Sequence, residues 1–274
     1  MKRSTKILFG LFVATLAVRL FFAFSIPNFT YESYFHLRQV EHILETGVPL
    51  YHDNLSYGGR DLSFLPFFHY FMAFFGLLLP LPFIAKVMPN LLIATLVLTS
   101  YLISKKITRH ETGSLLAAFI AGSLPLLFST NSFTVTTLFL PLTFLNIYAF
   151  VNLQKDAQQS KKQLRRYLNL YLTSFFILSI TSPLVSILLI GFGIYILLSV
   201  LEGKKIHRAE LEIILFSLFF FLWIQFLFFK RSLAEEGISF IWQNVPSRII
   251  AQYFPKFSIG EALVLVSIIP FFAG

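Results

Sequence analysis

Residues 64–79 read FLPFFHYFMAFFGLLL, and whether this stretch crosses a membrane decides how the rest of the chain is threaded. It sits in a chain of 274 residues that is 56% hydrophobic and contains 35 Phe, with a mean hydropathy of +0.75. That is more apolar surface than a soluble domain of this size can bury, so the reading is an all-α, polytopic membrane protein. Apolar runs long enough to span lie at about 7 to 25, 82 to 104, 113 to 129, 132 to 153, 184 to 201, 210 to 229 and 259 to 274, with a shorter run near 167 to 181. These make about eight spans. The 64–79 run is the ambiguous ninth, because Pro80 and Pro82 would serve equally as the turn after a span.

Charge parity decides it. The basic clusters are Lys2/Arg3/Lys6, Lys105/Lys106/Arg109, Lys155/Lys161/Lys162/Arg165/Arg166 and Lys204/Lys205/Arg208. The positive-inside rule places all four in the cytoplasm, which requires an even number of crossings between neighbouring clusters. The 64–79 stretch is therefore expected to be interfacial or re-entrant, residues 26–81 form a first outer loop, and the N-terminus is cytoplasmic. The run after Lys6 is long enough to span and is read as an uncleaved first helix rather than a signal peptide. The net charge of +9 lies in short runs between apolar segments, a pattern that speaks for membrane lipids as surroundings and for no nucleic acid partner. No Cys is present, which excludes disulfides, thiolate nucleophiles and Cys-ligated zinc.

The first outer loop holds the chemistry-bearing residues: Glu32, Glu41, Glu45, Asp53 and Asp61 against Arg38 and Arg60. Leu37, Val40, Ile43 and Leu44 fall on one helical face and the run ends at Gly47-Val48-Pro49, which predicts an amphipathic helix lying on the membrane surface. Glu32 and His36, four residues apart, share a face if that helix begins early enough, and Asp53 can fold back beside them. Such a set suits a hard cation, Mg²⁺ or Mn²⁺, that prefers carboxylate oxygens and water. The alternative is that Glu32 is an N-terminal helix acid favoured by the macrodipole and His36 an interfacial ring.

The string Glu32-Ser33-Tyr34-Phe35-His36-Leu37-Arg38, followed by Glu45-Thr46-Gly47, Asp53 and Tyr57-Gly58-Gly59-Arg60, resembles in order and spacing the first outer loop of oligosaccharyltransferase catalytic subunits. These belong to the GT-C class of integral membrane glycosyltransferases. The resemblance is to the N-terminal transmembrane part of prokaryotic and archaeal members and covers roughly the first 200 residues. It implies a prokaryotic, for instance archaeal, plasma-membrane enzyme with an outward-facing site. There a sugar or oligosaccharide would pass from a polyprenyl-phosphate or polyprenyl-pyrophosphate donor to a protein or glycan acceptor. It further implies that the loop's first acid, here Glu32, binds a divalent metal. Thr181-Ser182-Pro183 resembles a Thr-His-Pro turn of prokaryotic members without its histidine. Two departures stand out: Glu32 takes the place of Asp, and Ser129-Thr130-Asn131-Ser132-Phe133-Thr134, in the second outer loop, carries no acid where those enzymes have an acidic motif. Asn131, Thr134, Thr136 and Thr137 are the polar residues there.

In this reading Glu32 and Asp53 are the catalytic candidates, with Glu32 as metal ligand or general base and Asp53 as a second carboxylate or as structural partner of Arg38 or Arg60. Arg38, Arg60, Arg19 and His36 are the substrate-binding candidates. Arg19 lies inside the first span, where a guanidinium either clamps a lipid phosphate or snorkels to the interface. Arg60, beside glycines, can meet a phosphate or sit in an ordinary turn. His69 has aromatic neighbours that would suit a sugar ring but reads first as a packed interfacial histidine, Gln225 as hydrogen-bonded to another helix rather than to a substrate, and Lys86 as a snorkelling lysine. The stretch from Lys230 to Lys256, with Trp242 and Arg248, reads as an interface anchor. Leu263 to Gly274 ends inside an apolar run, so the expectation is a single transmembrane domain over 1–274 that is the N-terminal fragment of a longer chain. The alternatives to an enzyme are a non-catalytic relative or carrier of lipid-linked sugars, and a solute transporter, which would show internal repeats that the sequence lacks.

Overall fold

The computed structural model describes residues 3–55, 59–123, 130–154, 160–204, 206 and 208–236. It is mostly helical. Helix α1 (Arg3–Ser25) and α2 (Tyr31–Thr46) are followed by two short strands, β1 (His52–Asp53) and β2 (Arg60–Asp61), and then by α3 (Phe67–Gly76), α4 (Leu81–Ala94), α5 (Leu96–Thr108), α6 (Glu111–Ser123), α7 (Val135–Leu153), α8 (Lys161–Thr181), α9 (Val185–Leu201) and α10 (Arg208–Glu236). The expected 259–274 span, the anchor residues Trp242 and Arg248, and the Tyr57-Gly58 part of the first-loop string lie outside the described residues.

Four described segments are long and apolar enough to cross a bilayer: Arg3–Ser25, Leu81–Thr108, Thr136–Leu153 and Glu210–Lys230. The second combines α4 and α5. Thr95 between them keeps helical dihedrals and turns its hydroxyl onto Leu92 O at 2.6 Å, which lets the helix run on through the junction. Helix α9 is apolar but 17 residues long, and α8 is 21 residues long with Lys161, Lys162, Arg165 and Arg166 in its first two turns. Ser160 and Gln163 form a capping box there, satisfying N-terminal donors of α8 reciprocally.

The 64–79 run contributes α3, ten residues long. At 1.5 Å per residue that is about 15 Å, half of a hydrocarbon core of about 30 Å. Its apolar face does not meet lipid alone. Phe68, Met72 and Ala73 pack with Val40 and Ile43 of α2, with Leu81, Ile84 and Ala85 of α4, and with Phe133 and Leu138. The amphipathic stripe expected to rest on the membrane surface thus covers the protein's own apolar cluster instead. Where that cap is wetted from above, burying each such large side chain stabilises by about 1.5–3 kcal/mol.

A second cluster joins α7, α8, α9 and α10 through Phe150, Tyr171, Phe175, Phe192 and Phe221, and a third joins α1, α5 and α6 around Val97, Tyr101 and Ala118. In the third, Gly122 makes a close approach possible: a Cβ there would lie 2.7 Å from Val97 Cγ2 and 2.8 Å from Thr15 Oγ1. By contacts, residues 1–225 form one compact unit and 226–274 another, of which the end of α10 is the described part.

Candidate functional site

Helix α2 begins at the N-cap Thr30 and places Glu32, exposed, in its first turn, where the macrodipole favours a carboxylate. It ends where Gly47 adopts φ +81° and returns its N–H to Ile43 O at 2.8 Å, a left-handed cap that suits glycine. The chain then runs back antiparallel to α2's polar side. Gln39, 1% exposed, uses both ends of its amide on the backbone of Leu50, accepting from Leu50 N at 2.9 Å and donating to Leu50 O at 3.1 Å. This pairing imitates a strand ladder and delivers β1 to α2. As a result Asp53 Oδ1 meets Arg38 Nη1 at 2.9 Å and also accepts from Leu55 N at 3.0 Å.

Strands β1 and β2 pair antiparallel, His52 with Asp61 and Asp53 with Arg60. Gly59, at φ +77°, leads into β2 and lies so close to the His52 ring that an added Cβ would be 2.9 Å from Nε2. The His52 ring is tied to Asp61 at 2.7 Å in an exposed pair. The backbone of Arg60 is therefore brought beside Asp53; its side chain lies outside the described residues.

His36 meets His69 of α3. Its Nδ1 lies 2.8 Å from His69 Nε2, and the two rings are packed among Phe35, Phe64 and Phe68. One ring must donate and the other accept. His69 Nδ1 is buried with no hydrogen-bond partner among the described residues, and a bare lone pair is cheaper to bury than an unpaired N–H. This favours His69 Nε2–H donating to His36 Nδ1. Burial holds both imidazoles neutral, pushing His36 down to about 4 and His69, with the added repulsion of His36, to about 3.

The expected Glu32, His36 and Asp53 set is thus not assembled as a metal cage. His36 is engaged with His69 and Asp53 with Arg38, and among the described residues no three His, Asp or Glu side chains converge as metal ligands. Arg19 of α1 is fully buried in the protein. Lys86 is held more firmly than a snorkelling lysine: Nζ donates to Ile26 O at 3.0 Å and stands 5.6 and 5.8 Å over the rings of Phe24 and Phe29. Gln225 donates to Ser179 O across α10 and α8.

The polar residues of the second loop are occupied with one another. Thr134, the N-cap of α7, accepts at its carbonyl from Thr137 Oγ1 at 2.7 Å, and its hydroxyl lies 2.7 Å from Thr136 Oγ1 and 3.1 Å from Ser132 Oγ. Asn131 donates to Ile26 O at 3.1 Å. In the turn after α8, Thr181 bonds back to Ile177 O at 2.6 Å and Ser182 Oγ accepts from Leu184 N at 3.2 Å. Each of these hydroxyls serves a turn or a helix end.

The sequence signals missed Gln39 and Ser33, and they read His69 as a packed ring without its partner His36. A buried amide matched to a backbone eleven residues on has no local signature, and the His36–His69 contact spans 33 residues. No protein-family model matches the chain. Over 135 residues, 45% of the chain, it is 32% identical to a "Dolichyl-phosphooligosaccharide-protein glycotransferase 2" of Archaeoglobus fulgidus; the matched region spans 23% of that relative, about a quarter of its length.

Proposed function

We propose that the protein is a GT-C type, oligosaccharyltransferase-like membrane glycosyltransferase. It would move a sugar or oligosaccharide from a polyprenyl-phosphate or polyprenyl-pyrophosphate carrier to a protein or glycan acceptor on the outer face of a prokaryotic plasma membrane. The observation that carries this reading is the 32% identity to an archaeal glycotransferase over 135 residues. The first-loop strings agree with it in order, and about eight spans with a cytoplasmic N-terminus complete the topology.

In this reading the bond from the sugar's anomeric carbon to the carrier phosphate breaks, the phosphate keeps the electron pair, and the acceptor's nucleophilic atom takes its place. Where no metal ion is used, Glu32 receives the acceptor's proton as general base. Charge growing on the leaving phosphate calls for nearby cations. Arg60, on the strand beside Asp53, and Arg38 are the candidates, and Asp53 acts through Arg38 by holding the guanidinium at 2.9 Å. Arg19, which is buried, and His36, bonded to His69, are the further candidates for binding the donor. A Mn²⁺ or Mg²⁺ ion, where used, would have Glu32 as its protein ligand, with water and donor oxygens filling the other positions, and would supply positive charge at the phosphate.

The test is sugar release from a radiolabelled polyprenyl-linked donor in proteoliposomes, with and without Mn²⁺, for wild type and Glu32→Gln. Turnover by wild type and its loss by a factor of 10² or more in the variant is the expected result, the size of a general-base contribution. Equal turnover in both removes Glu32 from the chemistry. Thiol labelling of single cysteines at His52 and Lys161 checks the orientation; an outward Lys161 would overturn it. A second reading, a non-catalytic relative or carrier of lipid-linked sugars, is favoured by one observation: residues 130–137 hold no acid, and their hydroxyls bond to one another. Donor binding without turnover, unchanged in Glu32→Gln, would decide for it.

A further inference from the structure

We propose that Ser33 and Asn131 form a latch that locks the segment 26–33 onto the segment 130–133, and that this latch, rather than a shared metal ion, is what positions Glu32. Ser33 sits one residue after Glu32 and is fully buried, and the neighbouring segment reaches it from nearly a hundred residues away. Its hydroxyl has one hydrogen to give and two lone pairs to receive. Its oxygen accepts Phe133 N–H at 2.8 Å, lies 2.7 Å from the Thr30 hydroxyl, a contact in which either oxygen can donate, and stands 3.4 Å from Asn131 O. With the Thr30 hydroxyl donating, the Ser33 hydrogen is left for Asn131 O, and two of the three contacts cross between the segments.

The crossing is reinforced on both sides. Thr30 N–H donates to the same Asn131 carbonyl at 3.1 Å, so the N-cap residue of α2 is fixed by the second segment directly. Asn131 Nδ2 donates to Ile26 O at 3.1 Å, and that carbonyl also receives Lys86 Nζ at 3.0 Å. Asn90 Nδ2 holds Thr130 O at 2.8 Å from α4. Asn131, Asn90 and Phe133 are all buried. The first turn of α2, and Glu32 with it, is therefore located by bonds to 130–133 before any contact with a substrate.

The identity of residue 131 follows from the same geometry. Its side chain must donate, because the group it faces is a carbonyl oxygen already shared with an ammonium. A carboxylate at this position would set oxygen against oxygen and give up the bond. An amide at position 131 thus suits this packing, and residue 131 is a positioning residue.

The latch is independent of the proposed reaction; only the consequence for Glu32 rests on that reading. The experiment is hydrogen exchange by mass spectrometry on the full chain in lipid nanodiscs, for wild type, Ser33→Ala and Asn131→Asp. With it go Mn²⁺ retention by equilibrium dialysis and the kcat and KM of transfer. In Ser33→Ala the peptide covering 130–135, which carries no substitution, should exchange about tenfold faster, the loss of one buried hydrogen bond. In Asn131→Asp the peptide covering 26–34 should do the same, with no Mn²⁺ gained. Peptides in α8 should be unchanged in both. Ser33→Ala should lower kcat about tenfold at unchanged KM. Unchanged exchange in the segment opposite the substitution, or Mn²⁺ retained by Asn131→Asp beyond wild type, overturns the latch. A wild type that shows no turnover but whose exchange responds as stated removes the glycosyltransferase reading and leaves the latch standing. Asn131→Asp serves as the second variant should Ser33→Ala fail to fold.

Discussion

Acidification should open the cap formed by α2 and α3, and its size follows from the His36–His69 pair. Burial lowers these imidazoles to about 4 and about 3, whereas both return to the ordinary value near 6.5 when the cap opens to water. A base whose folded pKa is depressed is held neutral in the fold, so the open form binds more protons and stability rises with pH across the interval. The contribution is fully present above about 6.5 and is lost as pH falls toward 4. For one ring moving from 6.5 to about 4, linkage gives about 2 kcal/mol lost at pH 5 relative to pH 7.5. His69 adds a similar share, because at pH 5 both rings are neutral in the closed cap and charged in the open one, for about 4 kcal/mol together. A loss of about 4 kcal/mol multiplies the open population by about 10³. The chain contains no Cys, so a single Val40→Cys, at a fully buried position between α2 and α3, reports opening through its rate of reaction with a thiol reagent. After normalisation to a free cysteine peptide at each pH, the rate at pH 5 should exceed that at pH 7.5 about 10³-fold. In a His36→Phe/His69→Phe background, which keeps the aromatic packing and removes both titrations, the ratio should fall to near one. The same ratio in both backgrounds would refute the assignment, and a slower rate at pH 5 would reverse its sign.

Three further substitutions test packing and positioning. Gly122→Ala pushes a methyl into Val97 and Thr15 and should cost about 1–3 kcal/mol, seen as a lower thermal midpoint in detergent that Val97→Ala in the same chain partly restores. Asn146→Ala removes the amide that α7 gives to Tyr171 O at 3.0 Å and Ser174 Oγ at 2.9 Å on α8; between helices in a bilayer this is worth about 0.6–1.7 kcal/mol, again read as a midpoint. Gln39→Ala frees Leu50 from both of its bonds to α2 and should cost about 1–3 kcal/mol locally, with protease cleavage near 50–55 accelerated while the helices 81–201 stay intact.

The parts of the fold that periodicity can specify were legible in the chain. The runs that became α1, α7 and α10 are apolar on every side and long enough to be read from composition, and the stripe Leu37, Val40, Ile43 and Leu44 with Gly47 after it marks α2 and its end. What periodicity does not carry is the partner of an apolar stripe. A surface helix and a helix capping a bundle share the same pattern, and only the presence of α3 and Phe133 beneath Val40 and Ile43 separates them. Charge parity treats 64–79 as a question of crossing or not and answers it from where lysines lie, while the length of α3 rests on where a helix of aromatic residues stops.

Site residues were legible as types rather than as roles, and the reason is the position of this loop over an apolar bundle. A polar group buried there must find a partner, since leaving one unmade costs about 1–3 kcal/mol. The residues that signal chemistry in a sequence are therefore the same ones that the cap consumes for its own closure. Arg38 and Asp53 were recognisable as a possible pair because their charges are opposite and the turn at Gly47 brings the chain back. His36 was not recognisable as the partner of His69, since four-residue spacing points it equally at Glu32 until α3 is placed. Ser33 reads as filler in the string 32–38, yet its hydroxyl carries the bonds to Asn131 and Phe133. Catalytic and closing roles compete for the same side chains, and exposure separates them: Asp53, His36 and Asn131 are drawn into the cap, while Glu32 remains at the exposed start of α2. A loss of activity in Glu32→Gln with the cap intact would consequently speak about chemistry, whereas the same loss at Asp53 or Ser33 would speak first about position.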